Sequence, residues 1–201
     1  MALENKNSAI YLSIGNGKLC RTFNAPTEGS IERVNKNNKV VHEIFYDQLT
    51  GNITSIKTRD HAEYSKSWLV TIEDEGVNYV LQIKYSSGYA ASFLKTLPNV
   101  DLSKHVTIIP KLTKEGDKSK ATLFITQGGV PLKHYYTKDH PNGLPQLEQK
   151  KVKGKITWDD SEMMEFLENM VNNTIVPKLS GSSVDTGAEA VNETAGDNMP
   201  F

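Results

Sequence analysis

Across residues 9–178, apolar and polar positions alternate in short runs that clusters of Gly, Asn and Asp interrupt. A period of two marks strands with one buried face, because successive side chains point to opposite sides of a sheet. Four hairpins are predicted. Segments 9–14 and 18–23 flank Gly15-Asn16-Gly17, and 40–48 and 53–59 flank Thr50-Gly51-Asn52. Segments 66–73 and 77–85 flank Asp74-Glu75-Gly76, and 106–112 and 120–127 flank a charged tip. Residues 24–39 read as a polar interruption, 128–149 as a long loop or extra hairpin, and 152–158 as a further strand. Trp68, in phase with Val70 and Ile72, and Tyr79, in phase with Leu81 and Ile83, belong to the expected core.

Two stretches change period. Residues 88–97, GYAASFLKTL, suit a short helix that Pro98 stops. In 160–173, Met163, Phe166, Leu167, Met170 and Val171 share one helical face, with Asp159 and Asp160 placed to cap its start. After Pro177 the pattern ends. The segment that follows is small, polar and acidic, and cannot bury enough apolar area to offset about 1–2 kcal/mol of backbone ordering per residue. The expectation is a mainly β unit over 1–178 and a disordered acidic tail over 179–201, ending in Met199, Pro200 and Phe201.

The net charge of −1 conceals an asymmetry. Four acids, Asp185, Glu189, Glu193 and Asp197, follow Lys178, and no Lys or Arg does. Removing those four from the 24 acids leaves 20 against 23 bases, a net +3 for residues 1–178. A mildly basic binding unit with an acidic tail is the natural reading. The single cysteine, Cys20, excludes an internal disulfide framework and suits a reducing compartment. The polar start MALENKNSAI is unlike a secretory signal, and no apolar run approaches the roughly 18 residues of a membrane span. A cytoplasmic protein with no membrane partner is expected. There is no GxxxxGK[ST] phosphate loop, no GxGxxG after a strand and no zinc-ligand spacing, so neither enzyme, cofactor nor metal site is expected.

The ending carries a recognition signal. A terminal Phe can enter an apolar pocket while its carboxylate pairs with a basic rim, and Pro200 restricts the backbone beforehand. The sequence GDNMPF resembles the acidic tip of bacterial and bacteriophage single-stranded DNA-binding proteins. Those finish with several aspartates, an aliphatic residue and Pro-Phe. By that resemblance Asp197 matches an acidic position, Met199 the aliphatic one, and Pro200 and Phe201 the terminal pair. Asn198 departs from the pattern, which implies weaker and more salt-sensitive docking. The resemblance implies an OB-type Greek-key β-barrel with added hairpins. It also implies coating of single-stranded DNA and recruitment of replication, recombination and repair proteins through the tip. The alternative is a protein-interaction module that binds no nucleic acid.

Sequence-independent binding of single strands needs cations for phosphates and aromatic faces for bases. In 120–127, Ala121, Leu123 and Ile125 form the apolar side, leaving Phe124 between Thr122 and Thr126 on the other. Lys111, with Thr107 and Ile109, takes the matching side of the preceding strand. Lys57 and Arg59 alternate with Ser55, and Lys84 lies with Asn78 and Gln82; each group contacts phosphate or solvates an exposed face. Tyr135 and Tyr136, beside Lys133, His134 and Lys138, either clamp a strand or pin their loop. The run from Lys150 to Lys155, including Lys151 and Lys153, suits phosphates, the acidic tail, or solvent.

Overall fold

The computed structural model describes residues 9–35, 38–60, 65–116, 118–152 and 155–181. The chain runs β1 (Ile10–Gly15), β2 (Lys18–Phe23), β3 (Ile31–Val34), β4 (Val40–Tyr46), β5 (Leu49–Arg59), β6 (Ser67–Asp74) and β7 (Val77–Lys84). After α1 (Gly88–Thr96) come β8 (Val106–Glu115), β9 (Lys118–Gln127), β10 (Val130–Pro131), β11 (Glu148–Val152) and β12 (Lys155–Asp159). The last elements are α2 (Ser161–Met170), a π turn (Val171–Ile175) and α3 (Val176–Gly181).

Among the described residues ten strands form one sheet in the order β10-β9-β8-β5-β6-β7-β1-β2-β4-β3, and β11 pairs with β12 apart from it. Neighbours are antiparallel except β1 and β7. The fold is therefore mainly β, with a large mixed sheet that is not closed into a barrel. The core lies between this sheet and the helices: Trp68, Val70, Ile72, Leu81 and Ile83 meet Phe93, Leu94 and Leu97 beside α1, and Met163, Met164 and Leu167 from α2. Trp68 is 1% exposed and stacked on Tyr85, and Tyr79 packs against the same core, as their strand phases predict.

The expected pairing of 40–48 with 53–59 is replaced by another. β4 pairs with β2 and β3, while β5 pairs with β8 through Leu49–Gly51 and with β6 beyond it. Gly51 is no turn residue. Its φ of +152° carries the strand across from one partner to the next, and a Cβ there would stand 2.5 Å from the Glu73 carbonyl oxygen. Only glycine permits that backbone approach. β3 lies inside the segment read as a polar interruption; all four of its residues are exposed, so it shows no alternation to read.

The C-terminal helix outruns its expected end. Pro177 has no amide, and its ring collides with the carbonyl four residues back in an ordinary helix. The wider π turn, with the Val176 amide bonded to the Val171 carbonyl, relieves that conflict, and helix continues to Gly181. Residues 179–181 are thus helical rather than tail. Asp160 occupies the N-cap position, but its carboxylate accepts from the Ser86 hydroxyl at 2.5 Å. Asp159 caps instead, accepting from the Ser161 amide at 3.0 Å and its hydroxyl at 2.6 Å.

Candidate nucleic-acid interface

Leu123 and Ile125 of β9 point into the core, so Phe124 must point out, and it is 43% exposed. One edge of β9 is covered by α1. The Leu123 amide donates to Ser92 Oγ at 2.7 Å, and Gly88 lies so close that a Cβ would meet the Ala121 carbonyl oxygen at 2.5 Å. This close seating brings Lys95, one turn on from Ser92, to the flank of β9. The Lys95 carbonyl then accepts from the Tyr135 amide at 2.8 Å, which ties down the loop following β10.

Strand, helix and loop enclose a groove of about 700 Å³. Its basic side chains are Lys95, Lys120, His134 and Lys138; Phe124, Tyr136, Leu144, Leu147 and Met163 supply apolar surface. Among the described residues no carboxylate lines it. Burial holds the Lys95 ammonium below its ordinary pKa. The His134 imidazole is also held down, first by burial and then by the charges of Lys95 and Lys120. An imidazole whose protonation is opposed by neighbouring cations gains from an incoming anion, which offsets the repulsion. Chemically, the groove can hold phosphate oxygens beside an aromatic face.

The candidates from sequence divide between this groove and elsewhere. Phe124 faces Ile109 across the β8–β9 ladder, and Lys111 pairs with Thr122, so the expected strip is present and Lys111 is exposed on it. Tyr136 is 6% exposed, edge-on to Phe166 at 5.7 Å and to Tyr135 at 4.9 Å. It pins the loop, while Tyr135 is 42% exposed. Lys133 is exposed, and its carbonyl accepts from Asn99 Nδ2 at 3.0 Å.

Lys57, Arg59 and Lys84 converge on a second surface. Strand register aligns Arg59 with Ser67 and Lys84, and Lys57 with Leu69 and Gln82, in adjacent rows of one sheet face. The next row ends at Tyr11, 57% exposed, which the sequence did not single out. At about 4.8 Å per strand, the Arg59 and Lys84 backbones lie about 10 Å apart. All three cations are exposed and form no ion pair among the described residues.

Lys151 lies on β11, paired with Ile156 in the backbone ladder. Lys150 of the same run is engaged by Asp159 and stands 3.9 Å from Glu148, which removes part of that basic patch. Lys153 and the tip residues Asp197, Met199, Pro200 and Phe201 lie outside the described residues. Among the described residues no group of His, Cys, Asp and Glu is arranged to hold a metal ion, and no helix is long and apolar enough to cross a membrane.

Lys95 and Lys120 escaped the sequence reading because nothing local ties a lysine on α1 to the start of β9. Their meeting depends on the Gly88–Ala121 contact. Comparison with family models, with curated proteins and with solved structures finds no match to this chain.

Proposed function

We propose that the chain binds single-stranded DNA, with phosphates in the β9–α1 groove and a base on Phe124. The observation that carries this reading is the groove itself: three lysines and a histidine around an exposed aromatic ring, with no carboxylate among the described residues that line it. The protein would coat unpaired strands in DNA replication, recombination and repair. The exposed patch of Lys57, Arg59 and Lys84 provides further phosphate contacts along the sheet face.

The finer fold reading is of OB type. Its support is the connectivity β5-β6-β7-α1-β8-β9, in which the long β5 is shared between β6 and β8 and a helix precedes the fourth strand. β1, parallel to β7, takes the edge that a closed barrel would join to β9. The tail, by its resemblance at Asp197, Met199, Pro200 and Phe201, would recruit replication and recombination proteins.

A second reading rests on β3 and β4, where Val34 and Val40 are cross-strand partners, both exposed, and suit a protein partner. An electrophoretic shift with fluorescent poly-dT at low salt separates the two. The DNA-binding reading requires a retarded complex; the interaction module gives none.

A further inference from the structure

The groove has an arm. Leu147, on its lining, immediately precedes β11, and Met163, also on the lining, lies in the first turn of α2 just after β12. The β11–β12 hairpin therefore springs from the groove's rim. Trp158 pairs with Gln149, the second residue of β11. At about 3.4 Å per residue and 5 Å between strands, its backbone stands about 8 Å from that of Leu147.

Trp158 is 61% exposed and makes no ring contact with any described residue. A free indole of that size on a structured strand is apolar surface without a partner. Its position is nevertheless fixed. The neighbouring Asp159 carboxylate holds the Lys150 ammonium across the hairpin and the Ser161 amide and hydroxyl at the start of α2. The indole is thus presented by a braced base, which lowers the ordering cost of stacking on it. Besides Lys150, which Asp159 engages, the segment from Glu148 to Asp159 contains three lysines, so an anionic strand is the chemistry that suits this arm.

We infer that Trp158 is a second base-stacking position, taking an unpaired nucleobase where the strand leaves the groove, and that the hairpin is an arm gripping that strand. The inference rests on the DNA-binding reading and extends it to a residue outside the sheet. The two fail separately. The chain has two tryptophans, and Trp68 is sealed in the core, so quenching of tryptophan emission by poly-dT reports on Trp158.

The test titrates the full chain with poly-dT, following anisotropy of labelled DNA and, separately, tryptophan emission with unlabelled DNA. Emission should fall in step with binding. Trp158→Ala should weaken binding about tenfold or more, and Trp158→Phe should retain most of the affinity while losing the quenching. Binding by anisotropy with unchanged emission and an undiminished Trp158→Ala variant would overturn the role of Trp158 and leave DNA binding standing. Absence of any anisotropy change would overturn both.

Discussion

Adjacent residues of β9 do opposite jobs, and the two are separable by measurement. Leu123 is buried and Phe124 exposed. Leu123→Ala should cost about 2–5 kcal/mol of stability through the cavity it leaves. Phe124→Ala should leave the melting temperature nearly unchanged and weaken poly-dT binding by about 1–3 kcal/mol. Equal losses of stability in both variants would remove Phe124 from the interface. His134 supplies a pH signature, because its imidazole is held below the ordinary value of 6.5 by burial and by Lys95 and Lys120. The folded chain thus binds fewer protons there than the unfolded chain, and acidification through that value costs stability. A phosphate in the groove has the opposite effect, favouring the imidazolium. Affinity for poly-dT should rise as pH falls from about 8 to 6, and His134→Gln should flatten the rise. These residue-scale roles were partly legible in the sequence. Alternation alone separates Phe124 from Leu123, and the Tyr135–Tyr136 cluster already includes His134. It does not reveal that Tyr136 is the buried member, which depends on the Phe166 ring brought in by α2.

At the scale of elements, α2 is fastened to the sheet by one carboxylate. Glu168 accepts from Lys66 Nζ at 2.7 Å, from the Tyr85 hydroxyl at 2.6 Å and from Thr58 Oγ1 at 3.1 Å, so a helix is tied to β5, to the lead into β6 and to the residue after β7. Burial acts to raise its pKa, but these three donors outweigh burial and hold it below the ordinary 4.5. A carboxylate with a depressed folded value adds stability above its unfolded value and loses it as pH falls through the folded one. Glu168→Gln should therefore cost about 1–3 kcal/mol near neutrality. The gap from the parent should close below pH 4.5, checked by thermal unfolding across pH. A gap that stays constant down to strongly acidic pH would show that the charge of Glu168 does not stabilise this joint. The periodic helices and the β6–β7 hairpin could be read from sequence because their partners are neighbours in the chain. The division of β5 between β8 and β6 could not. It turns on Gly51 passing under the Glu73 carbonyl, and in sequence that glycine is indistinguishable from a turn.

For the whole molecule, charge is the governing quantity. Counterion release gives single-strand binding a log–log salt slope of about −0.7 per phosphate neutralised, so the groove's three lysines predict about −2. A steeper slope would bring in Lys57, Arg59 and Lys84 on the sheet face. Deleting 182–201 removes Asp185, Glu189, Glu193 and Asp197, and should tighten poly-dT binding at low salt. Unchanged affinity would count against competition by the tail while leaving DNA binding intact. The charge asymmetry behind this expectation is plain in the sequence, whereas the groove is not, since it is assembled from α1, β9 and a loop. The most direct measurement is fluorescence anisotropy of labelled poly-dT with the full chain and with Lys120→Glu/Lys138→Glu, at low salt. The account predicts saturable binding by the parent chain and a loss of about tenfold or more in the variant at unchanged melting temperature. No anisotropy change at tens of micromolar protein, or equal affinity in the variant, would contradict it.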